Sequence, residues 1–239
     1  MRQVFKDIRT IMEAGGAAAG SLELIKISYE KAVEHAKSKG IDIEELIPSF
    51  KKNFEMAKKL AGKGFAKRSE MPVINNNDVK NFQTRLAKGF IDINKPFASN
   101  ELPDEPFPQG LDRNTGKTWI KSGLPRFDGD AKDDVVTVKS KKVAVKNLKP
   151  IQKQIYFDKS FKNISDYDFK DTMKFLKSDR NIFIISSDNA IIDGHHRFLT
   201  AMLIDPNITV NTIAIDLPIK QLLPLTLSYT DAIGNQRNK

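Results

Sequence analysis

Residues 191–202 read Ile-Ile-Asp-Gly-His-His-Arg-Phe-Leu-Thr-Ala-Met, and they place a predicted strand directly before a predicted helix. The run Ile182–Ile185 and the pair Ile191–Ile192 are rich in β-branched residues. Five residues separate them, the first four of which are polar, and this pattern predicts a β-hairpin. After Gly194 the apolar side chains recur at helical spacing. The second hairpin strand is therefore predicted to end at Asp193 and to pass directly into a helix.

This turn gathers a carboxylate, a glycine, two imidazoles and a guanidinium. The first turn of a helix carries amide N–H groups without intrahelical partners, and its dipole favours an anion. We therefore predict a phosphate site with Asp193, His195 and His196 as catalytic candidates. The predicted phosphate-binding residues are Gly194, His195, His196 and Arg197. The alternative is structural: the carboxylate caps the helix, the glycine relieves the turn, and the histidines lie on the surface.

Two of the three histidines of the chain are adjacent in this turn, which raises the question of a metal site. Neighbouring helical side chains point about 100° apart, and no cysteine or Glu-x-x-His spacing completes a tetrahedral zinc set. We therefore assign no metal ligands. Mg²⁺ is a candidate cofactor, since Asp193 can orient a divalent ion, with Asp188 or Asp216 as further acidic partners.

The composition describes a globular chain. Among the 239 residues, 40% are apolar and 29% are charged, and no apolar run approaches the length of a membrane span. The segment Met1–Ile8 has a basic start without an apolar core, so no secretory signal is predicted. The absence of cysteine excludes a disulfide scaffold and thiol chemistry, and it fits a cytoplasmic location. No membrane partner is expected.

The charge balance favours a polyanionic partner. The formal net charge is +9, and a positive surface attracts nucleic acid or a nucleotide and releases counterions on binding. Residues 131–180 carry 13 Lys or Arg against 7 Asp or Glu, so basic residues precede the predicted site in the chain. The pairs Lys51-Lys52, Lys58-Lys59 and Lys67-Arg68 are interpreted as solvated helix faces, and no chemistry is assigned to them.

The predicted fold class is α+β, in four parts along the chain. Residues 1–90 read as a helical region, 91–134 as a Pro/Gly-rich arm or linker, 135–220 as a small mixed-sheet domain, and 221–239 as a C-terminal helix and tail. Within the arm, aromatic residues predict packing against its own domain, another subunit or an assembly partner. These aromatic residues are Phe97, Phe107, Trp119 and Phe127.

Periodicity and capping signals predict the individual elements. One predicted helix starts at Ser21 and is ended by Gly40. A second runs from Asp42 to Leu60, with Pro48 in its first turns and with Asp42 as its predicted cap, since Glu45 follows three residues later as in a capping box. The other predicted helices are Asp78–Lys88, Phe169–Leu176 and Ile219–Tyr229. Besides the hairpin, the predicted strands are Val135–Val138, Val143–Val145 and Ile208–Asp216.

The order of strand, Asp-Gly-His-His-Arg turn, helix and strand resembles the ParB/sulfiredoxin superfamily, whose members carry a Gly-x-x-Arg element at the same junction. The resemblance covers roughly residues 136–220. The segment Lys149-Pro150-Ile151-Gln152-Lys153-Gln154-Ile155 precedes the turn. It is similar to the Lys-Pro-x-Gln-x-x-Ile element of ParB-like nuclease domains from tailed phages.

The resemblance implies a ParB/sulfiredoxin-like fold and phosphoryl-transfer chemistry, with nuclease or nucleotide hydrolase activity on nucleic acid or a nucleotide. It implies that Lys149, Gln152 and Gln154 form the opposite, substrate-binding wall of the site. Candidate nucleotides are ATP, ADP and CTP, with Mg²⁺ as the candidate ion. A phage-encoded protein of this kind would lie in the host cytoplasm or in the virion.

This chain departs from the superfamily pattern at two positions, and each departure argues against one of the activities known in the superfamily. Sulfiredoxin needs a cysteine in this turn, which the chain lacks. The free serine kinases of the superfamily have a catalytic aspartate where this chain has Asp193. They also use a glutamate after the first core strand, where this chain offers Gln152 and Gln154, and glutamine cannot act as a general base. The open alternatives are a non-catalytic nucleic-acid or nucleotide-binding protein, a phage virion or assembly protein, and a small-molecule kinase.

Overall fold

The computed structural model describes residues 21–97, 135–165 and 169–237. These residues form eight α-helices and four β-strands, which confirms the α+β class with a helical first region followed by a sheet. The helices are α1 Tyr29–Ser38, α2 Ile43–Leu46, α3 Phe50–Ala61, α4 Asn76–Ala87, α5 Phe157–Ser165, α6 Phe169–Leu176, α7 His195–Ile204 and α8 Ile219–Ala232. The strands are β1 Val138–Ala144, β2 Ile182–Ile185, β3 Ile191–Asp193 and β4 Thr209–Ile215.

The four strands form one mixed sheet in the order β1-β4-β2-β3. Strand β4 is antiparallel to β1 and parallel to β2, and β2 is antiparallel to β3, with Ile184 opposite Asp193. The interior strand β2 is apolar throughout, as expected for a strand covered on both faces. The lysine-rich β1 lies at the edge, where charged side chains discourage further strand pairing.

The two faces of the sheet pack into two apolar clusters, because successive side chains of a strand point to opposite faces. Phe183 and Ile185 of β2 pack with residues of α1, α3, α5 and α7. Ile184, between them, packs with residues of α4 and α8. Each cluster contains residues from both the first region and the sheet. The helices before residue 97 therefore cover the sheet directly.

The first helix begins later than predicted. Helix α1 starts at Tyr29 with Ser28 as its N-cap, and the prediction of a start at Ser21 is wrong. The intervening residues are instead held against the segment before α5, where the Leu24 amide donates to the Ile155 carbonyl at 2.8 Å. Apolar residues at helical spacing before Tyr29 therefore pack in a tertiary contact and do not form a helix. Periodicity alone does not reveal this contact.

The helix predicted from Asp42 to Leu60 is two helices. The Asp42 carboxylate accepts the Glu45 amide at 3.2 Å, which confirms the predicted cap of α2. Pro48 lies between α2 and α3, where its missing N–H and fixed φ interrupt the helical hydrogen bonds.

The two strands predicted at Val135–Val138 and Val143–Val145 are one strand, β1. The lysines between them remain in the strand because the sheet edge exposes their side chains to solvent. Helix α5 was not predicted, although its buried residues Phe157, Phe161 and Ile164 recur at helical spacing.

The remaining elements agree with the predictions: the hairpin, the helix after Gly194, and the elements close to Asp78–Lys88, Phe169–Leu176, Ile208–Asp216 and Ile219–Tyr229. The predicted division of the chain into four parts stays a prediction. In the arm, Phe97 packs its ring on Tyr229 at 5.4 Å, whereas Phe107, Trp119 and Phe127 lie outside the described residues. No helix in the described ranges has the length and apolar character to cross a membrane.

Candidate functional site

The junction between β3 and α7 depends on Gly194, which has a φ of +114°. A Cβ at this position would lie 2.6 Å from a ring carbon of Phe183, so space as well as backbone conformation requires glycine. The Phe198 amide makes the first helical hydrogen bond, to the Gly194 carbonyl at 2.7 Å. The three preceding amides of α7 therefore have no intrahelical acceptor, as at any helix start.

The guanidinium of Arg197 is fixed by four groups. It forms an ion pair with the Asp193 carboxylate at 2.5 Å. It also donates to the Asn181 side-chain oxygen at 3.0 Å and to the Ile182 carbonyl at 2.9 Å. Its central carbon lies 5.1 Å from the centre of the Phe183 ring. The predicted phosphate-binding arginine is thus preorganised, with a quarter of its side chain exposed.

Asp193 is a carboxylate with a raised pKa. Burial raises this pKa, while the Arg197 charge and the Gly194 amide oppose the rise. About 38% of the side chain is still accessible. A carboxylate that is partly desolvated and reachable from a pocket is a better proton acceptor than one in open water.

His195 has a structural hydrogen-bonding role. Its Nε2 accepts the backbone amides of Ile151 and Gln152, each at 3.2 Å. Burial, followed by the charges of His196 and Arg197, lowers the pKa of His195 to about 3. The ring is therefore neutral at pH 7, and its accepting nitrogen cannot donate to a phosphate oxygen. Through this nitrogen His195 positions the segment around Gln152, while its predicted catalytic and phosphate-binding roles stay predictions.

His196 is also neutral, but its Nε2 accepts no backbone amide of the described residues. Burial, followed by the charges of Arg68 and Lys159, lowers its pKa to about 4. Its ring stacks on Tyr156 with centroids 6.3 Å apart and an interplanar angle of 26°. Within the described part of the chain, its buried Nε2 has no hydrogen-bond partner. A buried ring nitrogen of this kind is available to a ligand.

One pocket of about 240 Å³ collects most of the predicted residues. The predicted site residues that line it are Gln152, Asp193, Gly194, His195, His196 and Arg197. Two predicted substrate-binding residues are not among its lining residues. Lys149 is exposed and pairs its backbone with the hairpin, and the Gln154 side chain accepts the Arg68 amide at 2.7 Å. Of the three residues predicted to form the wall opposite the turn, Gln152 lines the pocket, and Lys149 and Gln154 do not.

The further acidic residues considered for Mg²⁺ lie elsewhere. Asp188 accepts the Ser186 hydroxyl at 2.5 Å and the Ile219 amide at 3.2 Å, which places it at the start of α8. Asp216 is exposed beyond β4. Among the described residues, no group of three or more His, Asp or Glu side chains is arranged to hold a metal ion.

The first region of the chain supplies the part of the pocket that the sequence did not reveal. Arg68 and the four residues 71–74 line it. The Lys153 amide donates to the Ala66 carbonyl at 2.8 Å, which brings this region against the segment around Gln152. Gly64 permits the approach, since a Cβ there would lie 2.8 Å from the Gln152 carbonyl oxygen. The sequence signals in this region are Gly64 and the pair Lys67-Arg68. They do not indicate which part of the chain the region contacts.

Two cations lie close to Tyr156, whose ring stacks on His196. The Arg68 guanidinium carbon and the Lys159 Nζ lie 5.6 Å and 4.9 Å from the centre of the Tyr156 ring. Positive charge from two parts of the chain thus converges beside His196 and raises the local attraction for anions.

No protein-family model matches the chain, and neither a curated protein nor a solved structure shows significant similarity to it. The chemistry of the pocket therefore carries the functional conclusion.

Proposed function

We propose that the protein binds a phosphate group of a nucleotide or of nucleic acid in this pocket and hydrolyses the bound ligand. The observation that carries the proposal is a single pocket lined by Arg68, Arg197, the start of α7 and the carboxylate of Asp193. The resemblance to ParB-like nuclease domains is consistent with this chemistry, and we retain it as part of the proposal.

Phosphate recognition follows from the donors in the pocket. Guanidinium groups match phosphate oxygens with paired N–H donors, and helix amides add further donors along the dipole of α7. Because Arg197 already contacts Asp193, it presents its remaining donor capacity in a fixed orientation. His196 adds a neutral ring at the same wall.

Asp193 is the proposed proton acceptor. It would take a proton from a water molecule as the oxygen of that water bonds to phosphorus and the phosphoester or phosphoanhydride bond breaks. The leaving oxygen would keep the electron pair of the broken bond and take a proton from solvent. Charge on the phosphate oxygens would be stabilised by Arg68, Arg197 and the helix amides. Mg²⁺ binds proteins through one or two carboxylates together with substrate phosphates. Asp193 is the residue that would share such an ion with the ligand.

The Asp193–Arg197 ion pair also favours a second candidate, a binding protein without turnover. In that case the carboxylate only holds the guanidinium in place, and phosphate binding needs no proton acceptor. Both candidates predict a bound phosphate, and they differ in whether a product forms.

The Asp193→Asn variant separates these candidates. We expect it to bind ligand and to lose hydrolysis, because an amide cannot accept the proton. The assay measures binding of ATP, ADP, CTP, single-stranded DNA and duplex DNA with Mg²⁺ or with a chelator, followed by product analysis. Asp216→Asn, at an exposed carboxylate outside the pocket, is the matched control.

Binding by the wild-type protein without any product in this panel would contradict hydrolysis and favour the binding protein. Failure of every phosphate compound to bind would overturn both candidates.

The Arg68→Gln variant tests the phosphate site independently of turnover. We expect its affinity for the tightest ligand of the panel to fall about tenfold, the effect of losing one charged hydrogen-bond donor. Lys67→Gln is the control, since it removes the same charge one residue away and lies outside the pocket lining. Equal losses in both variants would show only a general effect of charge, and would argue against direct contact by Arg68.

A further inference from the structure

We propose that residues 68–74 form the wall that selects the ligand, and that this wall accepts the nucleobase of a single nucleoside monophosphate unit. The inference rests on the proposed phosphate site and names the group attached to the phosphate. Its basis is the lining of the pocket. Arg68 is followed in the same segment by four apolar lining residues, which are Met71, Pro72, Val73 and Ile74.

The 68–74 segment is held in place at several points. The Arg68 amide donates to the Gln154 side chain at 2.7 Å, and the Val73 carbonyl accepts the Asn235 side-chain amide at 2.7 Å. Just after the segment, the Asn75 side chain caps α4 by accepting the Asp78 amide at 3.1 Å. A wall fixed before binding loses little conformational entropy when a ligand arrives.

The side chains in the apolar part of this wall have no donor or charge for a phosphate. Met71 and Pro72 are buried, Ile74 is half-buried, and Val73 is 36% exposed. Such side chains contact the apolar faces of a ligand, while the polar groups of the pocket orient it. A phosphate seated at the start of α7 would thus carry an organic group that reaches the 68–74 segment.

The size of the pocket limits that organic group. Its volume of about 240 Å³ is more than a phosphate group alone requires. It lies below the range of about 300 Å³ and upward that encloses drug-sized ligands. One nucleotide unit, with its base against the wall and partly open to solvent, fits this space. The unit can be a free nucleoside monophosphate or one residue of a strand.

Calorimetric titration of the full chain with inorganic phosphate, ribose 5-phosphate, AMP, UMP and a short oligothymidylate tests the inference. We expect the two nucleoside monophosphates to bind about tenfold more tightly than ribose 5-phosphate, which lacks the base. The oligothymidylate shows whether the unit is also accepted within a strand. Tighter binding of the free monophosphates than of the oligothymidylate identifies a free nucleotide as the ligand, and the reverse identifies a strand.

The Val73→Ser/Ile74→Ser variant locates the preference on the wall. We expect the tenfold preference for AMP and UMP to fall to about twofold, with unchanged affinity for ribose 5-phosphate. Val135→Ser is the matched control, since Val135 is an exposed valine outside the pocket lining.

Ribose 5-phosphate binding as tightly as AMP and UMP to the wild-type protein would overturn the inference and leave the phosphate site standing. A preference that persists in the folded double variant would also overturn it. If none of the five compounds binds, the inference fails, and the separate panel of ATP, ADP, CTP and DNA decides whether the proposed function fails with it. The wild-type comparison decides the matter even if the double variant does not fold.

Discussion

Replacing Gly194 with alanine is expected to lower the free energy of unfolding by about 4 kcal/mol, through backbone strain and overpacking together. The φ of +114° is one that L side chains rarely adopt, and the new methyl group would meet the Phe183 ring at 2.6 Å. Urea denaturation at pH 7 measures the loss. Ligand binding should disappear as well, because relief of the clash moves the start of α7.

Gly40→Ala provides the matched control for this prediction. Gly40 also has a positive φ, +73°, but a Cβ there meets nothing within 4 Å. Replacing Gly40 with alanine should lower the free energy of unfolding only through backbone strain, by about 1 kcal/mol. Equal losses in the two variants would show that the Phe183 contact contributes nothing to the requirement for glycine at position 194.

The second large effect is a loss of stability in mild acid. His195 has a pKa of about 3 in the folded protein, whereas an unfolded histidine titrates near 6.5. Below pH 6.5 the unfolded chain therefore binds a proton that the folded protein excludes, and stability falls as the pH falls. Linkage gives a loss of about 2 kcal/mol between pH 7.5 and pH 5 for this residue.

His196 should contribute in the same direction, since burial lowers its pKa to about 4. Asp193 acts oppositely. Its raised pKa means that the folded protein takes up a proton more readily than the unfolded chain, which favours the folded state as the pH falls. Two buried histidines act against this single carboxylate, so we expect the net stability to fall between pH 7.5 and pH 5.

Denaturant unfolding curves at several pH values check this prediction, with His195→Gln as the test variant. Glutamine retains an oxygen that can accept a backbone amide and does not titrate, so the variant should lose the share of the pH dependence that His195 contributes. His35→Gln is the comparison. Burial also lowers the pKa of His35, but this residue lies on α1, away from the pocket lining. A wild-type stability that stays constant from pH 7.5 to pH 5 would contradict a neutral, buried His195.

The part of the site that could be predicted from the sequence is the part encoded locally. A β-branched hairpin followed by Asp193, Gly194 and a helical apolar pattern specifies the strand, the turn and the helix within twenty residues of chain. The grouping of Asp193, His196 and Arg197 at the helix start follows from that local geometry. The confirmed cap at Asp42 is of the same kind, since its amide partner lies three residues away.

The part that could not be predicted depends on contacts between distant segments. Arg68 faces the pocket because residues 64–66 lie against residues 151–153, and no local pattern specifies that pairing. The same holds for His195, whose acceptor nitrogen meets amides more than forty positions earlier in the chain. The late start of α1 also results from a contact between distant segments, because residues before Tyr29 pair with the segment at Ile155 and do not join the helix.

The close approach of Gly64 to Gln152 has a consequence for the integrity of the protein. The two walls of the pocket belong to stretches separated by some eighty residues, and neither stretch contains a complete set of phosphate ligands. A protease cut between residues 97 and 135 would divide the residues that line the cavity between two fragments. Affinity for a phosphate ligand would then return only when the two fragments recombine. Assembly of this cavity therefore requires that residues 64–74 and residues 151–197 come together in one fold.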